Sequence, residues 1–237
     1  MPTSKIQVQG LDVEVARKRM RYIRVRVRQD GTVCLSVPWH AATKEAVDFL
    51  LSKWDWVIEA RQRILSRPAA VEPQYLDGDT VTLFGERFKL QIVEVPYGGN
   101  IVELGEGVIR LYQTGTTTPE RRGRLIWAFL GARLRERLAT MLTDWLVRLG
   151  EGPVKWSVRD MTTEWGSCTK TRRTLRFNLK LAQMPPAYVE YVVVHELTHL
   201  RVANHGPDFK ALMDVRMPDW RARRKALNAF RADAKIC

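Results

Sequence analysis

The sequence predicts an α+β fold: a β-rich N-terminal region containing a helix, followed by a helical region with a small β-sheet. Three observations predict it. Runs of alternating apolar and polar residues, separated by glycine-bearing turns, fill much of the chain up to Gln113, as half-buried strands do. From Thr118 the apolar period lengthens to that of a helix. Further on, an apolar run opening on two prolines leads into HELTHLRVANH, residues 195–205, which holds three of the four histidines. A chain of 237 residues can bury a proper core and allows two domains. The boundary is expected near Thr116, giving 1–116 and 117–237.

Taken in order, MRYIRVRVRQDGTVCLSVP reads as a hairpin, because Ile23, Val25 and Val27 alternate with Arg24, Arg26 and Arg28 ahead of an Asp30-Gly31 turn. Thr43 is the expected N-cap of a helix whose apolar stripe runs through Val47, Leu50, Trp54, Val57 and Ile58 and stops before Pro68. Residues 68–73 read as a connector. VTLFG, RFKLQIVEV, IVELG and GVIRLYQ form a second set of strands.

Thr118 then caps a long helix with Pro119 at its first position, where a missing N–H costs nothing, and Gly150 ends it. VKWSVRDMTTEWGSC and TLRFNLKLA are strand-like, and PPAYVEYVVVHELTHLRVAN is a helix that stays apolar up to the histidines.

Hydrophobic content of 45% and charged content of 27% exclude a disordered chain. The net charge of +13 makes nucleotide or nucleic-acid partners worth testing without deciding the fold. Cys34, Cys168 and Cys237 are scattered, so no disulfide framework is expected. No export-type start or membrane-length apolar stretch occurs, which points to the cytoplasm.

On a helix, His195 and His199 share a face and can aim ring nitrogens at one point, and Glu196 projects about a quarter-turn away. A catalytic zinc takes three protein ligands and leaves a place for water, so His205 is the expected third ligand. Asn204 is placed to reverse the chain in a left-handed conformation. Zinc would activate a water molecule whose proton Glu196 accepts. A structural site would instead need a fourth protein ligand, with Cys168 the residue best able to supply it. His40 reads as a turn residue.

EWGSCTKTRRTLRFNLKLAQMPPAYVEYVVVHELTHLRVANHGPDF resembles the YgjP-like metallopeptidases in its WGSC turn, its R-x-N strand and HELxHxxxxNHxxxF. The matching residues are Trp165, Gly166, Ser167, Cys168, Arg176, Asn178, His195, Glu196, His199, Asn204, His205 and Phe209. The resemblance implies a zincin-like catalytic domain, with zinc on the three histidines and Glu196 as the catalyst. Glu164 stands where the family usually has arginine. The spacing to the third histidine also matches the metzincins, but Val202 replaces their glycine. Met213 and Met217 are read as packing residues.

The leading expectation is a cytoplasmic zinc peptidase acting on polypeptides, with TLRFNLKL either the strand on which substrate pairs or an interior hairpin strand. The alternatives are a metal-dependent nucleoside triphosphate pyrophosphatase, gripping phosphates through TKTRRTLR, and a nucleic-acid-associated protease. The last would use Arg24, Arg26 and Arg28 and the cluster Arg221, Arg223, Arg224 and Lys225.

Overall fold

The computed structural model describes residues 3–28, 30–66 and 74–233, with side chains described for 4–28, 30–66 and 74–229. The chain forms two compact units, Met1–Val71 and Glu72–Cys237.

In the first unit, β1 (Thr3–Val8), β2 (Leu11–Lys18), β3 (Arg24–Val27) and β4 (Val33–Pro38) form one sheet in the order β1-β2-β4-β3. The β3–β4 hairpin forms as its alternation predicts. Gly31 takes φ +81° at its turn, and the Thr32 N–H donates to Asp30 Oδ1 at 2.9 Å. Val13, Val15, Val33, Leu35 and Val37 line the buried face, in one core with Ala46, Leu50 and Val57 of the helices.

The expected single helix is two: α1 (Thr43–Leu51) and α2 (Trp54–Leu65). Lys53 leaves helical geometry at φ −117°, ψ 13°, and the Ser52 hydroxyl donates back to the Phe49 carbonyl at 2.7 Å. Ala42, not Thr43, occupies the cap position, while Thr43 Oγ1 accepts from Arg17. The expected connector at 68–73 lies outside the described residues.

In the second unit, β5 (Thr80–Leu83), β6 (Glu86–Glu94), β7 (Ile101–Leu104) and β8 (Val108–Gln113) make a sheet in the order β5-β6-β8-β7. The 31-residue α3 (Pro119–Leu149) follows, capped by Thr118 and ended by left-handed Gly150 as expected. Then come β9 (Lys155–Arg159), β10 (Gly166–Thr169), β11 (Thr174–Asn178), α4 (Pro186–His199), α5 (Pro207–Arg216) and α6 (Trp220–Asp233).

Residue 116 thus falls inside the second unit. Val81, Leu83, Leu90, Ile109 and Leu111 belong to the same core as Ile126, Phe129 and Leu130 of α3 and Val193 and Leu197 of α4. An apolar sheet face must be covered, and here α3 and its neighbours share its core. Among the described residues, no helix is long and apolar enough to cross a membrane.

One contact places the helix that carries the histidines. The N–H groups of Phe84 and Gly85, in the β5–β6 turn, donate to the carbonyls of Ala182 and Gln183 at 2.7 and 3.1 Å. Gly85, at φ +86°, has no room for a side chain, since a Cβ would meet Pro185 Cγ at 2.9 Å. The turn therefore clamps the segment that launches α4.

Candidate metal centre

Val189, Val192, Val193, Val194 and Leu197 are buried, so α4 is a core helix and the positions of His195 and His199 are fixed by packing. The helix ends at His199. The N–H groups of Arg201 and Val202 both donate to the Thr198 carbonyl, and the Val202 carbonyl turns back to lie 3.0 Å from His199 Nδ1. A carbonyl only accepts, so Nδ1 carries the proton and Nε2 presents its lone pair. Asn204 does not take the left-handed conformation expected of it. The Thr198 and Val202 carbonyls make the reversal instead.

The turn brings His205 back beside the helix. The three Nε2 atoms form a triangle with sides of 3.2 Å (195 to 199), 3.1 Å (199 to 205) and 3.0 Å (195 to 205). Nitrogens sharing one tetrahedral zinc would lie about 3.3 Å apart, given zinc–nitrogen bonds of about 2.0–2.1 Å. Without a cation the triangle is poorly satisfied, because each neutral ring nitrogen either donates or accepts and three cannot pair with one another. The donor chemistry and the spacing both fit a divalent metal. Among the described residues, these three form the cluster able to hold one, and Cys168 is not part of it.

Phe209 of α5 stands behind the trio. Its ring centre lies 4.9, 4.7 and 4.8 Å from those of His195, His199 and His205. The Tyr191 hydroxyl sits 3.4 Å from His195 Nδ1. Burial above all, then the neighbouring imidazoles and Arg224, holds the His195 pKa down to about 3, so this ring stays neutral and able to ligate. His205 is lowered by the same kinds of cause, burial first.

Glu196 is 4% exposed, and burial, reinforced by Glu164, pushes its pKa up to about 8. Its carboxyl rests against the backbone of β10, where a Cβ on Gly166 would come within 2.6 Å of Oε1. The metal cluster and Glu196 share a cavity of about 570 Å³, walled by Glu164 to Cys168 on one side and by Arg224 and Asn228 of α6 on another. Burial first, then the Glu196 charge, raises the Cys168 thiol to about 11, so it stays protonated.

Asn178 is buried and holds the wall in place. Its Nδ2 donates to the carbonyls of Met161 and Glu164, each at 2.7 Å, while its Oδ1 accepts from the Lys180 N–H. Met213 is fully buried, with its sulfur 3.2 Å from Thr198 Oγ1, which is a packing position. His40 is exposed just after β4 in the first unit.

Two sequence expectations are corrected. TLRFNLKL does not offer a free edge: its strand, β11, is the central one in the order β10-β11-β9, with β10 antiparallel and β9 parallel to it. The edge on the cavity is β10. The C-terminal basic cluster is also not one cationic patch, since Arg221 pairs with Asp214, Arg223 pairs with Glu190 and Asp219, and Arg224 lines the cavity. Phe209, Gly166 and Asn178 stand in the sequence motifs, but the spacing of residues does not reveal the contacts they make. A glycine and an asparagine flanking two strands were the available signal.

Residues 21–230 match the family model described as the YgjP-like metallopeptidase domain. Among solved structures, the chain is similar to the metallopeptidase zymogen jannalysin of Methanocaldococcus jannaschii, at 17% identity and a TM-score of 0.36, covering 39% of this chain and 94% of that one. It is also similar to the metallopeptidase zymogen abylysin of Pyrococcus abyssi, at 17% identity and a TM-score of 0.35, covering 38% and 90% respectively. No curated protein matches.

Proposed function

Because the chain belongs to the YgjP-like metallopeptidase family, we propose that it is a zinc-dependent peptidase in which His195, His199 and His205 hold the metal and Glu196 is the general base. The observation that carries this reading is the Nε2 triangle, 3.0–3.2 Å on each side, set beside a buried carboxyl in one cavity. An all-imidazole donor set suits zinc and does not suit magnesium or calcium, which prefer oxygen. When bound, zinc would polarise the scissile carbonyl and make a water molecule more acidic.

The remaining work falls to the chain's own side chains. Glu196 takes the proton of the attacking water and returns it to the departing amine. Burial raises the proton affinity of this carboxyl, so it can hold that proton between the two transfers, and a cation held by the histidines would favour the ionised form that the first transfer needs. The Val202 carbonyl and Tyr191 fix the rings of His199 and His195. An extended polypeptide would lie along the free edge of β10, adding a strand to the three-stranded sheet and presenting its carbonyl to the site. Unpaired Cys34 and Cys168 support a reducing, cytoplasmic setting.

The nucleotide reading has less behind it. Arg173 is engaged with Glu151 and the carbonyls of Gly152 and Pro153, and Lys170 with the Arg201 carbonyl, which takes two cations from the phosphate grip. The test compares wild type with Glu196→Gln on an unfolded polypeptide and on a panel of nucleoside triphosphates, with zinc measured by elemental analysis. We expect polypeptide cleavage to fall by about 10²–10⁴-fold with zinc retained. Unchanged cleavage, or loss of triphosphate hydrolysis in its place, would overturn the proposal.

A further inference from the structure

The first unit carries a surface that the peptidase chemistry does not use. Seven of the twelve residues from 17 to 28 are Arg or Lys, and none is acidic. The fold divides them by task. Arg17 donates to the carbonyls of Trp39 and Ala41 and to Thr43, tying β2 to the start of α1. Arg28 pairs with Glu14 at 2.8 Å. Lys18, Arg19, Arg21, Arg24 and Arg26 carry no ion pair among the described residues.

Topology places Lys18, Arg24 and Arg26 on the open face of the sheet, with Arg19 and Arg21 in the loop between β2 and β3 and Arg26 one residue pair further from that loop than Arg24. β2 and β4 run parallel with Lys18 opposite Pro38, and β3 enters antiparallel with Arg24 opposite Ser36 and Arg26 opposite Cys34. α1 and α2 share the core with the other face, where the valines lie. The middle of the open face is therefore low, made of Ala16, Cys34 and Ser36, and the carboxylate in that row, Glu14 opposite Cys34, is taken up by Arg28. Arg24 and Arg26 flank this low middle on edge strand β3, about 6.7 Å apart along the strand.

Two exposed aromatic rings stand at the β2–β3 loop end of the sheet. Tyr22 is 65% exposed, with the Arg21 guanidinium 5.5 Å from its ring centre, and Trp39, just past the end of β4, is 54% exposed. Unpaired guanidiniums suit phosphates, and exposed rings beside them offer faces on which bases stack. Arginine prevails over lysine here, four to one, which favours planar and bidentate recognition over simple attraction to an anionic surface.

We propose that this end of the N-terminal sheet binds single-stranded nucleic acid. Arg24 and Arg26 contact successive phosphates, and Tyr22 and Trp39 stack on bases. Recognition of this kind is indifferent to sequence. The inference does not depend on the peptidase reading.

The test is fluorescence anisotropy of a labelled mixed-sequence oligonucleotide with the full chain, between about 50 and 200 mM salt. A duplex of the same sequence and phosphatidylserine-containing vesicles are the competitors. We expect binding that weakens steeply with salt. Arg24→Ala with Arg26→Ala should lower the slope of log affinity against log salt by about 1.4, at about 0.7 per phosphate contact. Tyr22→Ala with Trp39→Ala should weaken binding by about thirtyfold or more with the slope retained.

Arg24→Lys with Arg26→Lys serves as the folded control and should keep the slope while losing affinity. Circular dichroism melts check every variant. No binding at low salt, preference for the duplex, capture of vesicles but not the oligonucleotide, or affinity unmoved by all the variants would each overturn the proposal. Peptide cleavage by these variants should match wild type, so failure of the peptidase reading would show separately.

Discussion

At Gly166 the Glu196 carboxyl occupies the space that any side chain would need, with Oε1 2.6 Å from where a Cβ would stand. No real Cβ contact is that short, and the obstacle is a buried group at the end of a core helix. Gly166→Ala must therefore push Glu196 aside or lift β10. We expect kcat to fall by about 10²-fold or more, because a displacement near 1 Å is enough for that loss. Zinc content should be unchanged, since the imidazoles sit on other backbone. Steady-state kinetics together with elemental analysis checks this, and full activity in the alanine variant would show that Glu196 does not act from its present position. The same scale shows what the sequence reveals readily. His195 and His199 are one helical turn apart, and local geometry alone brings their nitrogens together. Phe209 was opaque because its contact with all three rings depends on where α5 lies, which no local pattern states.

Between elements, Glu151 ties three segments together. It follows the end of α3, its side chain is 3% exposed, and it pairs with Arg173 in the β10–β11 turn and with Arg201 just past α4. Burial works to raise its pKa, but the hydrogen bonds and charges of the two arginines prevail and hold the carboxyl below its usual range. A carboxyl with a depressed pKa in the folded state contributes stability above the unfolded value of about 4.3, and that contribution is lost as pH falls through the folded value. Glu151→Gln should cost about 1–2 kcal/mol at neutral pH, the arginines being partly solvated, and almost nothing once both states are protonated. Urea melts of the two proteins at pH 7 and at a series of pH values falling below about 4 check this: the deficit should shrink as pH falls, and an unchanged deficit throughout would refute the ion-pair account. Some elements escaped the sequence for related reasons. β2 alternates through Asp12, Val13, Glu14 and Val15, but the basic run after it dominates the pattern. The stripe from Val47 to Ile58 continues across Ser52 and Lys53, hiding the break between α1 and α2. α6 carries four basic residues within five positions, from Arg221 to Lys225, and shows few apolar residues, among them Trp220 and Leu227.

Over the whole molecule, the two cores have no residue in common. The boundary expected at 116 followed a change of period from strand to helix, which marks a change of element and not of core. A chain beginning near residue 74 is therefore expected to melt cooperatively and to bind zinc, as judged by circular dichroism and titration; aggregation or a non-cooperative melt would refute independent folding of the second unit. The three imidazoles come from eleven consecutive residues, and this has a consequence for anyone preparing the protein. Drawing together so short a segment sacrifices little chain freedom, whether or not distant strands are in place. Misassembled material is therefore expected to keep some affinity for the ion, so metal content read alone would overstate the fraction competent to turn over. Active-site titration, not metal analysis, is the measure of native enzyme.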